Sequence, residues 1–96
     1  MPNPPPGYEW DEWKAAYNLK KHGVSFAAVK DFDFATAFET EDLREDYGET
    51  RIFSLGKIGR RLHALVYTRR AKAIRVISLR KARADEKENY LATGRS

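Results

Sequence analysis

The sequence predicts an α+β domain: two helices at the N-terminus, a four-stranded antiparallel sheet, and a closing helix. Three observations carry this. Apolar residues recur at helical spacing up to Asp33 and at alternate positions after it. The turns between the later strands are short, which favours antiparallel neighbours. A chain of 96 residues with 42% apolar content, including five Phe, five Tyr and two Trp, can fold around one thin core and has no room for a second domain. No internal repeat or change of composition divides it. A single domain is expected over residues 8–96, after a proline-rich lead-in over residues 1–7.

Pro4, Pro5, Pro6 and Gly7 suit neither a helix nor a central strand. Trp10 then reads as a hydrophobic staple against the first helical turn. Asp11 is positioned to cap a helix over residues 11–21, with Trp13, Ala16, Tyr17 and Lys20 at three- and four-residue spacing. Lys20, Lys21 and His22 place positive charge at its C-terminal end, and Gly23 stands where a left-handed residue ends a helix. Ser25 can cap a second helix over residues 25–32, with Phe26 and Val29 inward. Trp13, Tyr17 and Phe26 are expected to supply most of the aromatic core. The helices are expected on one face of a curled sheet.

Strands follow at residues 34–40, 51–58, 62–69 and 73–80. Phe34, Thr36 and Phe38 form the bulky side of the first. An acidic loop, EDLREDYGET, leads to the second, and IGRR makes a basic turn after it. LHALVYT is apolar on both sides, as in a central strand covered on both faces. In the last strand Ile74, Val76 and Ser78 oppose Arg75, Ile77 and Leu79. A final helix from about 82 to 92 shows only a weak stripe of Ala84, Glu88 and Leu91.

Charge is divided unevenly. Residues 1–50 hold 11 acids and 5 Lys or Arg, a balance of −6, whereas residues 51–96 hold 13 Lys or Arg and 3 acids, a balance of +10. A basic half of this kind suits a phosphate backbone, although solvated surface charge would look the same. With no cysteine and two histidines, disulfide scaffolds, thiol nucleophiles and cysteine zinc sites are excluded. No nucleotide-binding glycine loop is present, and no cofactor is expected. The opening MPNPPP has no basic run or apolar stretch, so it does not read as a signal peptide, and no window suits a membrane helix. A soluble cytoplasmic protein is the expectation.

The chemistry left to such a chain is phosphate chemistry. Arg51, Lys57, Arg60, Arg61, Arg75, Arg80 and Lys81 gather on and beside the strands, with His22 and His63 as the only imidazoles. RNA is cleaved when its 2′-hydroxyl attacks the adjacent phosphorus. That needs a proton acceptor, a proton donor and cations around the phosphorane. Arginine supplies the cation, and histidine is the side chain that moves protons near neutrality. His22 has two readings, as a helix-end group in the macrodipole or as a proton-transfer group. His63 reads mainly as a partly buried strand residue. Arg75, inside a strand, must lie on an open face or be held by an acid.

Three blocks, YEWDEWKAAYNLKKHGVSFAAVKDF, TRIFSLGKIG and AIRVISLRKARADEKENY, resemble the BrnT family of type II toxins, in order across residues 8–90. The resemblance implies a fold like that of the RelE and ParE toxins and a metal-independent endoribonuclease activity that arrests growth. It also implies a heteromeric complex with a BrnA-like ribbon-helix-helix antitoxin, which carries the contact with operator DNA. On matching motifs it gives catalytic roles to His22, Arg75 and Arg80, and substrate-binding roles to Arg51, Ser78 and Lys81. The chain departs from the family pattern at Leu79 and around Tyr67 and Arg69. Two other classes stay open on residues alone: a non-catalytic nucleic-acid-binding module, and a toxin acting on a topoisomerase by protein contact.

Overall fold

The computed structural model describes residues 7–95. Its order is β1 (Tyr8–Trp10), α1 (Glu12–His22), a 3-10 helix (Phe26–Asp31), β2 (Phe38–Glu41), β3 (Ile52–Ile58), β4 (Arg61–Arg70), β5 (Ala73–Lys81) and α2 (Ala84–Ala92). The strands form one sheet in the order β1-β5-β4-β3-β2, antiparallel except for the parallel pair β1–β5. The α+β architecture expected from the sequence is present. The sheet, however, is mixed and five-stranded. The extra strand is β1, where Trp10 pairs with Val76. Three residues are too few to display a period, and the partner strand lies at the far end of the chain. Of the proline-rich lead-in only Gly7 is described, and its carbonyl accepts from Ile74 N at 2.8 Å.

Local chemistry sets the helix ends. Asp11 accepts from Lys14 N at 2.9 Å, and Gly23 closes α1 in the left-handed region at φ 72°. Ser25 caps the next turn as expected, but that segment winds as a 3-10 helix. The expected strand over 34–40 is reduced to Phe38–Glu41. Asp33 accepts from Ala35 N and Thr36 Oγ1, folding residues 33–36 into a turn before pairing begins.

The core has two parts. On one face of the sheet, Phe26, Val29 and Phe32 pack on Leu65, Tyr67, Val76 and Leu79. On the other, Tyr90 packs with Leu55, Leu62 and Ala64. The helices are therefore not all on one face, because α2 crosses to the side opposite α1. The helical stripes also differ from expectation. Trp13 and Tyr17 are 85% and 65% exposed, while α1 turns Ala15 and Asn18 inward. In α2 the buried residues are Glu86 and Tyr90, not the Ala84–Glu88–Leu91 row. Both reversals have one cause: a buried polar side chain with a partner on β5, Asn18 with the Leu79 backbone and Glu86 with Arg80, turns inward a face that hydropathy ranks low.

β4 is buried from Leu62 to Thr68, as a doubly covered central strand should be. In β5 the alternation breaks. Val66 pairs with Ser78 but Tyr67 pairs with Val76, so Ile77 is an extra residue opposite the Val66–Tyr67 step. Leu79 is thereby returned to the same core as Val76, and Ser78 moves to the face of Arg75 and Arg80.

Candidate functional site

That bulge assembles the candidate site. Register places Arg75 opposite Thr68, Ser78 opposite Val66, and Arg80 opposite Ala64. Since Leu65 and Tyr67 belong to the α1-side core, strand alternation puts Thr68, Val66 and Ala64, with their β5 partners, on the α2 side. α2 covers this face only at the Leu55–Leu62–Ala64 end. Arg51 continues the row at the other end, where Thr68 Oγ1 donates to Thr50 O at 2.7 Å.

The arginines on this face are each held by an acid. Arg75 Nη1 donates to Glu9 Oε2 at 2.8 Å, with its side chain 31% exposed, so both conditions expected of a strand arginine are met. Arg80 grips Glu86 end-on, Nη1 to Oε1 at 2.8 Å and Nη2 to Oε2 at 2.9 Å. Nη1 also reaches Lys81 O at 3.3 Å. Among the described residues, Arg80 Nε makes no hydrogen bond, and Nη2 has one hydrogen left. That side-on edge remains a two-pronged donor for a phosphate. The same pair holds the Glu86 carboxyl below its ordinary range: the Arg80 hydrogen bonds lower it against the opposing effect of burial. Arg51 stacks over the Tyr47 ring, 3.9 Å from its centroid, and lies 3.7 Å from Glu49. Its Nε is buried and has no hydrogen-bond partner.

His22 reaches the site from α1. A cleft of about 470 Å³ runs between α1 and β5, with Trp13, Tyr17, Lys21, His22, Ile77 and Ser78 in its walls. Ser78 is thus the residue shared between the arginine row and the imidazole. Burial lowers the His22 pKa below its ordinary value, and the positive charges of Lys21 and then Arg80 lower it further. Both effects favour the neutral ring, the form that accepts a proton. His63, by contrast, is 7% exposed, and its Nδ1 lies 2.9 Å from the Arg61 carbonyl, to which it donates. Lys81 sits apart, in a second cleft at the tip of the β3–β4 hairpin.

The structure brings in three residues that the sequence reading passed over. Asn18 is 4% exposed and treats β5 as a neighbouring strand would: Nδ2 donates to Leu79 O at 2.6 Å, and Leu79 N donates to Oδ1 at 3.2 Å. Nδ2 also donates to Val24 O at 3.0 Å. These bonds fix α1, and with it His22, against the stretch of β5 that β1 leaves unpaired. Glu9 and Glu86 are the other two. Glu86 had a legible signal, since it is the third helical residue and accepts from Arg83 N at 2.8 Å. Asn18 and Glu9 had none, because their partners lie at the other end of the chain.

The chain matches the family described as "Ribonuclease toxin, BrnT, of type II toxin-antitoxin system" over residues 10–86. No curated protein sequence matches it.

Proposed function

From a chain that belongs to the BrnT family of ribonuclease toxins of type II toxin–antitoxin systems, and so cleaves RNA as a toxin, we infer a cleavage site on the β5 face bearing Arg75, Ser78 and Arg80, served by His22 across the α1 cleft. The observation that carries this is the Ile77 bulge, which turns Ser78 and Arg80 onto the face of Arg75 while Ser78 also lines the cleft that holds His22. His22 accepts the proton of the 2′-hydroxyl as its oxygen bonds to phosphorus. The P–O5′ bond breaks, and the departing oxygen takes a proton from water. The products are a 2′,3′-cyclic phosphate and a 5′-hydroxyl. The side-on edge of Arg80 and the free hydrogens of Arg75 stabilise the phosphorane, while Arg51, Ser78 and Lys81 position the backbone. No metal takes part in this scheme. A BrnA-like ribbon-helix-helix antitoxin neutralises the toxin in the cytoplasm by covering the basic face, and it carries the complex to operator DNA.

The test is cleavage of single-stranded RNA in EDTA with analysis of product ends. Arg80→Lys keeps the charge beside Glu86 but loses the fork, and should slow single-turnover cleavage at saturating RNA by ~10²-fold with a near-native thermal melt. The acid limb of the pH–rate curve should lie below the ordinary histidine value of about 6.5, because burial and Lys21 disfavour the imidazolium. Lys21→Gln should move that limb upward, and His22→Ala should abolish it. A folded His22→Ala protein with an unchanged profile would remove histidine from the mechanism. RNA that is only retarded in a gel points to a binding module, and intact RNA with arrested growth points to a protein target.

A further inference from the structure

Among the described residues, five cations without an ion pair gather in one place away from the arginine face. Arg51, Arg75 and Arg80 are matched by Glu49, Glu9 and Glu86. Lys57, Arg60, Arg61, Lys81 and Lys87 instead line one cleft of about 550 Å³ between the β3–β4 hairpin tip and α2. None of the five forms an ion pair among the described residues, and no carboxylate lines the cleft. Five like charges held in one concavity with no ion-paired acid repel one another and focus a positive field. A fold that places acids beside Arg51, Arg75 and Arg80 and gathers five cations without an ion-paired acid in one cleft presents a site for an external polyanion.

We propose that this cleft is an anchor for RNA phosphates, separate from the cleavage site and joined to it through Lys81, the residue after Arg80. The proposal rests on the reading of the chain as an RNA-cleaving enzyme. The lining favours a nucleic-acid backbone over an acidic protein segment. Its floor is nearly closed, with Leu62 8% and Tyr90 2% exposed, so Leu91 is the one large apolar side chain offered. The cleft sets five cations around that one side chain, whereas the centre of a protein interface is depleted of charge. Three of the five cations are lysines, point charges on flexible stems that meet phosphates without reading bases.

The experiment measures binding of a 12-nucleotide 2′-O-methyl RNA by fluorescence anisotropy over a salt series. The probe lacks the attacking hydroxyl and is bound without being cut. Arg60→Gln/Arg61→Gln/Lys87→Gln should lower the slope of log K against log salt by about 2, since each single-strand contact contributes about 0.7, and should weaken binding near 0.1 M salt by roughly 10²-fold. All three side chains are exposed, and a thermal melt checks the fold. The comparison is Lys20→Gln/Lys30→Gln/Lys72→Gln, which removes the same charge from exposed positions elsewhere. Equal losses in the two triples, or an unchanged slope in the first, would overturn the anchor. So would intact RNA binding with lost affinity for poly-glutamate, which would assign the cleft to an acidic protein. A wild-type chain that grips the probe but never cuts unmodified RNA would sink the cleavage reading and leave the anchor standing.

Discussion

Asn18 has more structural consequence than any apolar residue of α1. Its amide meets the backbone of Leu79 twice and Val24 once in a setting that excludes water. Removing one partner from buried hydrogen bonds costs more than the bonds contribute, because the groups left behind have lost water as well. Asn18→Ala should therefore destabilise the fold by about 3 kcal/mol, read from the urea midpoint at unchanged slope. Trp13→Ala, at a residue 85% exposed, should fall within about 0.5 kcal/mol of wild type. The reverse order of effects would mean that α1 docks by its aromatic side.

At the scale of elements, β5 does most of the positioning. Its first residues take β1 in parallel, its middle carries the bulge, and its end holds α1 through Asn18 and α2 through Arg80. The central strands tolerate little alteration. Gly56 in β3 lies directly under the Phe32 ring, where a Cβ would overlap ring carbons. Phe32, which also bridges to Ile58, is 5% exposed and edge-to-face with Phe34. Gly56→Ala should cost about 1–3 kcal/mol in a denaturant titration, as overpacked cores do. Phe32→Leu in the same chain should recover part of that loss. Full stability in the single variant would show that the ring can move aside.

For the molecule as a whole, a sheet covered on both faces is not held equally on each. The α1 side carries the larger core, while α2 rests on Tyr90, whose hydroxyl donates to Thr36 O at 3.2 Å, and on the Glu86–Arg80 pair. Stability should be graded accordingly. Amide hydrogen exchange should show α2 opening at a lower free energy than β4, and Arg80→Lys should widen the gap. Equal protection in α2 and β4 would mean that the domain opens as one unit. α2 forms a wall of the basic cleft and holds the end-on edge of Arg80, so its opening would loosen both.

What the sequence by itself determined was what depends on neighbours along the chain. The Asp11 and Ser25 caps, the Gly23 stop, three of the strands and the doubly covered character of β4 all follow from local hydrogen bonding and hydrophobic period. The candidate arginines and His22 were legible as residue types suited to phosphate chemistry, and the charge division pointed to the basic half. Tertiary structure decided what depends on contacts between distant segments. Tyr8–Trp10 becomes a strand because β5 offers an edge. Ser78 turns toward Arg75 because one extra residue, Ile77, enters the ladder. α1 buries Asn18 rather than Trp13 because unpaired backbone at Leu79 needs a partner, and a buried orphan hydrogen-bonding group costs more than an exposed ring. Which cations are free was also decided there. A charge is neutralised by whatever acid the fold brings within reach, and Glu9 and Glu86 reach Arg75 and Arg80 only once the sheet and α2 are in place.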